Sequence, residues 1–201
     1  MQNRKLKPEL RLINMENVAV EQVEWLLYPF IPYGKVTIIQ GDPGEGKTTM
    51  VLQIIAKLTK GEPVLPITEE EEITTEQTRE PVNVIYQTAE DGLGDTIKPR
   101  LLAAGADCSK VLVIDDSELP LTMLDDRLEQ AIWQTNARLV VLDPIQSFLG
   151  AEVDMHRANE IRPLMKRVSV LAEKISLCDC LDRSYEQEQR WKIFIQGAWL
   201  Y

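Results

Sequence analysis

Short apolar runs rich in β-branched residues alternate along the chain with longer segments that contain helix formers. The apolar runs are residues 35–40, 82–87, 111–114 and 139–142. The longer segments are residues 49–60, 95–104 and 124–135. Runs of this kind are typical of buried strands, and Gly61 and Pro63 end the first helical segment. The alternation of strand and helix predicts an α/β fold whose mostly parallel sheet is flanked by helices.

A final helix is predicted over residues 161–172, because apolar side chains recur there at i, i+3 and i+4. These side chains are Ile161, Leu164, Met165, Val168, Leu171 and Ala172. Such spacing gives an amphipathic helix that packs one face on the sheet. With 201 residues, of which 44% are hydrophobic, the chain has room for one such domain. We divide it into a lead-in segment (residues 1–24), a core (25–174) and a tail (175–201).

The net charge of −10 argues against a broad electrostatic surface for nucleic acid. A local basic channel, or one built by oligomerisation, is compatible with this charge. The first 17 residues are charged and lack the apolar run of a signal peptide, and no stretch approaches the length of a membrane span. We therefore expect a cytoplasmic protein that does not interact with a membrane.

A phosphate-binding loop is predicted between the first strand and the first helix, because the pattern G-x-x-x-x-G-K-[ST] is matched in every fixed position. The residues assigned to the nucleotide are Gly41, Asp42, Pro43, Gly44, Glu45, Gly46, Lys47, Thr48 and Thr49. Glycines let successive backbone N–H groups point at phosphate oxygens, and the helix N-terminus adds partial positive charge. We expect Lys47 to reach the β- and γ-phosphates and the Thr48 hydroxyl to bind Mg²⁺.

Two further acids follow predicted strands, at the edge where open α/β sheets bind ligands. Asp143 ends an apolar run and is expected to hold Mg²⁺ through water, opposite Thr48. The alternative is a plain strand end. Glu90 is a candidate general base for a water that attacks the γ-phosphate. The alternative is that Glu90 and Asp91 cap the next helix.

In this arrangement the sequence resembles the RecA-fold P-loop ATPases of the AAA_25 type, which include the RepA type of hexameric replicative helicase of plasmids. The residues that carry the resemblance are Trp25, 31–35, 89–91, Arg100, Leu101, Gly105, 142–149 and 159–164. The resemblance implies ATP as the nucleotide, Glu90 and Lys47 as catalytic residues, and Asp143 with Thr48 at the Mg²⁺. It also implies subunits that form a homo-oligomeric ring and act on single-stranded DNA.

The composition changes abruptly after Lys174. The resemblance implies an apolar strand there that ends in a histidine or a similar γ-phosphate sensor, followed by loops that face DNA and supply arginine to a neighbouring subunit. Residues 175–201 are instead polar and aromatic by turns and contain no histidine. We therefore expect a sheet that lacks the strand beside the phosphate-loop strand, and weak or absent turnover of ATP.

A frameshift would explain this departure. Translation one nucleotide out of register, with synonymous codons chosen freely, can produce an apolar strand from residue 177, then Gly-His and a basic loop rich in glycine and serine. The hypothesis is that the coding sequence is frameshifted near residues 174–176. The alternative is a natural tail that has diverged.

Two classes of function remain open at this point. The first is a DNA-linked ATPase of the replicative-helicase type. The second is a binding module, in which ATP sets the conformation or assembly of a recombination or regulatory system with little turnover. A small-molecule kinase shares the phosphate loop, but no acceptor pocket is identifiable in the sequence.

Overall fold

A computed structural model describes residues 10–65, 80–151, 153–154, 157–181 and 193–196 of the chain. The strands are β1 (Trp25–Leu27), β2 (Ile31–Pro32), β3 (Val36–Ile39), β4 (Asn83–Thr88), β5 (Val111–Leu112), β6 (Ala137–Asp143) and β7 (Ile193–Gln196). The α-helices are α1 (Lys47–Lys60), α2 (Lys98–Ala103), α3 (Asp126–Thr135) and α4 (Ala158–Leu181). Strand and helix alternate from β3 to β7, as the pattern of apolar runs predicts.

Five strands form one parallel sheet in the order β3-β7-β6-β4-β5. Strands β4 and β6 pair along their whole length, so that Thr88 lies opposite Asp143 at their carboxyl ends. The phosphate loop follows the carboxyl end of β3 at the same edge of the sheet. Strands β1 and β2 form a separate antiparallel pair that leads into β3.

The core consists of two clusters, because successive side chains of a strand point to opposite faces of the sheet. Val84 and Tyr86 of β4 join a cluster that includes Leu52 and Ile55 of α1. Ile85 of β4 joins a second cluster, whose helical members are Leu128, Ile132, Val168 and Ala172. Helices α3 and α4 therefore cover one face of the sheet and helix α1 covers the other, which gives three layers.

The predicted α/β fold with a mostly parallel sheet and flanking helices is confirmed. The boundaries of several elements differ from the prediction. Strand β5 is the clearest case, because it ends at Leu112 whereas the apolar run continues to Ile114. The side-chain amide of Gln87 forms two hydrogen bonds with the backbone of Ile114, at 3.0 and 3.1 Å. A side chain thus replaces the backbone pairing that a longer strand would have made.

The expectation that the sheet lacks a strand beside the phosphate-loop strand is wrong. Strand β7 lies between β3 and β6, where Ile193 is in register with Val36 on one side and Val140 on the other. Its sequence, Ile-Phe-Ile-Gln, is short and lies among polar and aromatic residues, so the hydrophobic pattern does not predict a strand there. The expected exposed edge of β3 is therefore covered. Residues 182–192 and 197–201 of the predicted tail lie outside the described residues.

None of the helices in the described part of the chain combines the length and apolar character that a membrane crossing requires.

Candidate nucleotide-binding site

The predicted phosphate loop connects β3 to α1 and depends on two glycines with left-handed backbone. Gly44 has φ 86° and Gly46 has φ 81°, a region that residues with a Cβ atom seldom adopt. Gly46 is also the N-cap of α1, and its carbonyl accepts the first helical hydrogen bond, from the Met50 N–H at 2.9 Å. Helix α1 consequently begins at Lys47, with the N–H groups of its first turn beside the loop.

The loop is held in shape by its own side chains. The Lys47 ammonium donates hydrogen bonds to the carbonyls of Gly41 (2.8 Å) and Asp42 (2.7 Å). The Glu45 carboxylate accepts a hydrogen bond from the Asp42 N–H at 2.8 Å. The loop thus closes on itself, with the lysine against its first two carbonyls. Pro43 and Thr49, the other residues assigned to the nucleotide, are exposed.

Thr48 and Asp143 meet across the sheet edge. The Thr48 hydroxyl donates a hydrogen bond to Oδ2 of Asp143 at 3.2 Å. The Tyr86 hydroxyl donates to the same oxygen at 2.8 Å. Asp143 is 8% exposed and Tyr86 is fully buried. The structure therefore brings together the end of β6, the first turn of α1 and a side chain of β4.

The electrostatics of this cluster are governed by burial. Desolvation raises the pKa of Asp143, and the nearby Asp91 acts in the same direction, whereas the hydrogen bonds from Tyr86 and Thr48 and the charge of Lys47 act against it. Burial also raises the pKa of Tyr86, and the charge of Asp143 adds to that effect. The phenol therefore remains a hydrogen-bond donor throughout the physiological pH range.

Glu90 lies just beyond the carboxyl end of β4, beside the end of β6. The Ala89 N–H donates to the carbonyl of Asp143 at 3.2 Å, which ties the two strand ends together. The Glu90 side chain itself is exposed. Its neighbour Asp91 forms an ion pair with Arg100 at 3.5 Å. Gly92, rather than either acid, occupies the N-cap of the following helical turn.

Sequence reasoning missed Tyr86 and Gln87 in this region. Both lie on β4 and are almost completely buried, and each uses its polar group to contact a neighbouring strand end. A tyrosine followed by a glutamine in an otherwise apolar strand was the available signal, because buried polar groups require partners. The identity of those partners depends on the strand order, which the pattern does not specify.

The oxygens of Thr48 and Asp143 fit a Mg²⁺ ion. A hydroxyl and a carboxylate are hard oxygen donors, and Mg²⁺ in nucleotide sites typically has few protein ligands and takes the rest from water and phosphate. Their approach to 3.2 Å places both groups at one position beside the phosphate loop. Within the described residues there is no group of three or more His, Cys, Asp and Glu side chains that would form a metal site made entirely of protein.

Comparison with known proteins identifies one family. The sequence model of the family AAA_25, described as an AAA domain, matches residues 2–178. No curated protein matches the sequence. Among solved structures, the KaiC-like protein PH0186 from the hyperthermophilic archaeon Pyrococcus horikoshii OT3 is similar with a TM-score of 0.48 and 15% sequence identity. The similarity covers 83% of this chain, which spans 64% of the length of that one.

Proposed function

Because the chain belongs to the AAA_25 family of AAA domains, we propose that it binds ATP with Mg²⁺ at the phosphate loop and hydrolyses it, with weak turnover, in a DNA-linked reaction. The family supports the coarser assignment, a RecA-like P-loop ATPase. The observation that carries the site is the 3.2 Å hydrogen bond between Thr48 and Asp143, which joins the predicted phosphate loop to the predicted metal-linked acid.

In the proposed mechanism, the backbone N–H groups of residues 44–48 bind the phosphates. Lys47 exchanges its contacts with the carbonyls of Gly41 and Asp42 for phosphate oxygens. The two carbonyls hold the ammonium at the loop, beside the place that the phosphates would take. Lys47 then stabilises the negative charge that develops during transfer.

Glu90 is proposed as the general base. It follows β4 at the sheet edge that contains Asp143, and its exposed carboxylate is accessible to a water. In this role Glu90 orients the water and accepts its proton as the oxygen attacks the γ-phosphorus, while the bond to the β-phosphate oxygen breaks. Asp91 is less suited to the role because its carboxylate is paired with Arg100.

Thr48 and Asp143 would hold the metal. When bound, Mg²⁺ neutralises charge on the β- and γ-phosphate oxygens and on the leaving group. The hydroxyl of Thr48 would ligate the ion directly and the carboxylate of Asp143 would hold one of its waters. Thr48 lies in the first turn of α1 and Asp143 at the buried end of β6, and a direct contact through the Ser/Thr hydroxyl is the one typical of this loop.

The proposed partner is single-stranded DNA, bound by a homo-oligomeric ring. This part of the proposal depends on the resemblance to replicative helicases, because the net charge of −10 does not indicate a broad DNA surface. An ATP-gated assembly module with little turnover is the second candidate. The absence of any histidine in residues 175–201 favours it, since no histidine sensor for the γ-phosphate follows Asp143 at the expected place.

The test is to measure ATP binding and hydrolysis with and without single-stranded DNA. We expect Lys47→Ala to abolish MgATP binding, whereas Lys60→Ala, at the opposite end of the same helix, leaves it unchanged. Stimulation of hydrolysis by DNA supports the helicase-type function. ATP-dependent oligomerisation without stimulation by DNA supports the assembly module. A Lys47→Ala variant that binds MgATP like the parent would refute the site.

A further inference from the structure

Tyr86 of β4 is a buried residue that the proposed mechanism does not use. It is fully buried among apolar side chains, yet its hydroxyl donates a 2.8 Å hydrogen bond to Oδ2 of Asp143. This is the ordinary length of an O–H···O hydrogen bond, and a carboxylate acceptor makes such a bond stronger than a neutral one does. A phenylalanine would fill the same apolar space but would remove this donor from Asp143.

The two hydrogen bonds to Asp143 fall on one oxygen. In the part of the chain that the structure describes, Asp143 accepts side-chain hydrogen bonds only from Tyr86 and Thr48, and both are made to Oδ2. A carboxylate held at one oxygen by two donors from different elements cannot rotate freely about its terminal bond. The second oxygen, Oδ1, is then the one that remains for a water of the metal.

Tyr86 and Thr48 differ in what nucleotide binding requires of them. Thr48 lies in the phosphate loop and is expected to give its oxygen to the metal, which changes the geometry of its contact with Asp143. Tyr86 lies inside the sheet, where β4 and β6 are paired from end to end, so its position does not depend on the loop. It is the fixed member of the pair of donors.

We propose that Tyr86 is a positioning residue for the Mg²⁺ site, whose hydroxyl holds the Asp143 carboxylate in the orientation that a metal-bound water requires. This inference rests on the proposed role of Asp143 and adds to it a residue of β4 that lies outside the phosphate loop. Removing the hydroxyl frees the carboxylate to rotate and leaves the phosphate loop unchanged. The effect should therefore appear only when the metal takes part in binding.

The test compares Tyr86→Phe with Asp143→Asn and with the double variant, using titration of a fluorescent ATP analogue in Mg²⁺ and in EDTA. Loss of a side chain that orients a metal-linked carboxylate typically lowers metal affinity about 10- to 100-fold, so we expect Tyr86→Phe to weaken binding in Mg²⁺ by roughly that factor. Binding in EDTA should not change. In the double variant the loss should equal that of Asp143→Asn alone, because the hydroxyl acts through the carboxylate.

Three outcomes overturn the inference. The first is that Tyr86→Phe binds the ATP analogue in Mg²⁺ as tightly as the parent, while Asp143→Asn binds it more weakly. That result removes the role of Tyr86 and leaves the proposed Mg²⁺ site intact. The second is an equal loss in Mg²⁺ and in EDTA, which indicates a packing defect. The third is unimpaired binding by Asp143→Asn, which refutes the proposed metal site itself. Thermal denaturation of each variant without nucleotide identifies a folding defect independently.

Discussion

Thr48 and Asp143 are 95 positions apart in the sequence, and a 3.2 Å hydrogen bond joins their side chains. The contact requires that β6 end beside the first turn of α1, which in turn requires the strand order of the sheet. Two motifs that are separately common in α/β proteins are thereby placed at one position. This juxtaposition is a stronger argument for a nucleotide site than either motif alone.

Asp143→Asn should strongly slow ATP hydrolysis that depends on Mg²⁺. The neutral amide cannot compensate the metal's charge, and a bound metal stabilises the charge of the transition state by several kcal/mol. We therefore expect the rate of hydrolysis to fall on the order of 10²-fold or more. The measurement is steady-state phosphate release over a range of Mg²⁺ concentrations. Asp115→Asn, which makes the same chemical change at another acid that follows a strand, is the control. An unchanged rate in Asp143→Asn contradicts the assignment.

Glu90→Gln should separate binding from hydrolysis. The amide retains the size of the side chain and cannot accept a proton, so the rate should fall by roughly 10²- to 10⁴-fold while ATP affinity is preserved. Asp91→Asn is the matched control, since it changes the neighbouring acid, which is paired with Arg100. Single-turnover hydrolysis gives the rate of the chemical step. A larger defect in Asp91→Asn than in Glu90→Gln would transfer the role of general base to Asp91.

Gly46→Ala should damage the loop through its backbone. At φ 81° a Cβ atom has open space around it, but the backbone conformation itself is unfavourable by roughly 1–2 kcal/mol for a residue other than glycine. We expect a lower melting temperature and weaker ATP binding. Gly94→Ala is the control, because its Cβ also meets nothing within 4 Å and its φ is not left-handed. Equal melting temperatures for the two variants would be evidence against a strained loop.

The parts of this fold that could be predicted from sequence are those that local pattern determines. The phosphate loop follows from glycine spacing, and the strand that contains Val84 and Ile85 follows from its apolar run. The hydrogen bond from Tyr86 to Asp143 could not be predicted, because it depends on β4 and β6 being neighbours. Strand β7 was missed because it is short and has no distinguishing flanks, and tertiary pairing defines it.

Asp125, at the N-terminus of α3, should make the free energy of unfolding depend on pH in the acid range. This residue is the N-cap, its carboxylate accepts a hydrogen bond from the Arg127 N–H at 2.9 Å, and the two side chains form an ion pair. Chiefly through the side-chain hydrogen bond, Arg127 lowers the pKa of Asp125. Because the folded state then binds the proton more weakly than the unfolded chain, the stabilisation is complete above the unfolded pKa of about 4 and is lost as pH falls through the folded value.

Asp125→Asn tests this effect, since asparagine is also a good N-cap and removes only the charge. We expect the variant to be less stable than the parent at pH 7 and the difference to disappear in acid below the folded pKa. Asp125→Ala removes the cap as well and should cost about 1 kcal/mol more. Asp126→Asn, at the exposed first residue of α3, is the control. Urea denaturation at several pH values measures the free energy of unfolding of each variant. A stability difference between Asp125→Asn and the parent that does not change with pH contradicts the prediction.

The length of α4 bears on the proposed frameshift near residues 174–176. With 24 residues, this helix is about 36 Å long, whereas the seven residues of β6 extend about 23 Å. Helix α1, on the other face of the sheet, has 14 residues and is about 21 Å long. Helix α4 is therefore longer than the strand and the helix of the other two layers.

A helix that ended near Lys174 would be about 25 Å long and would match the sheet. The strand that the shifted reading frame encodes would then follow directly and could occupy the place between β3 and β6 that β7 takes here. Sequencing the coding DNA across codons 170 to 201 and beyond tests the proposal. We expect an open frame in the +1 register that continues past codon 201. A gene whose verified sequence encodes residues 175–201 as they stand, with no such frame, contradicts the frameshift, and Ile193–Gln196 is then the natural strand between β3 and β6.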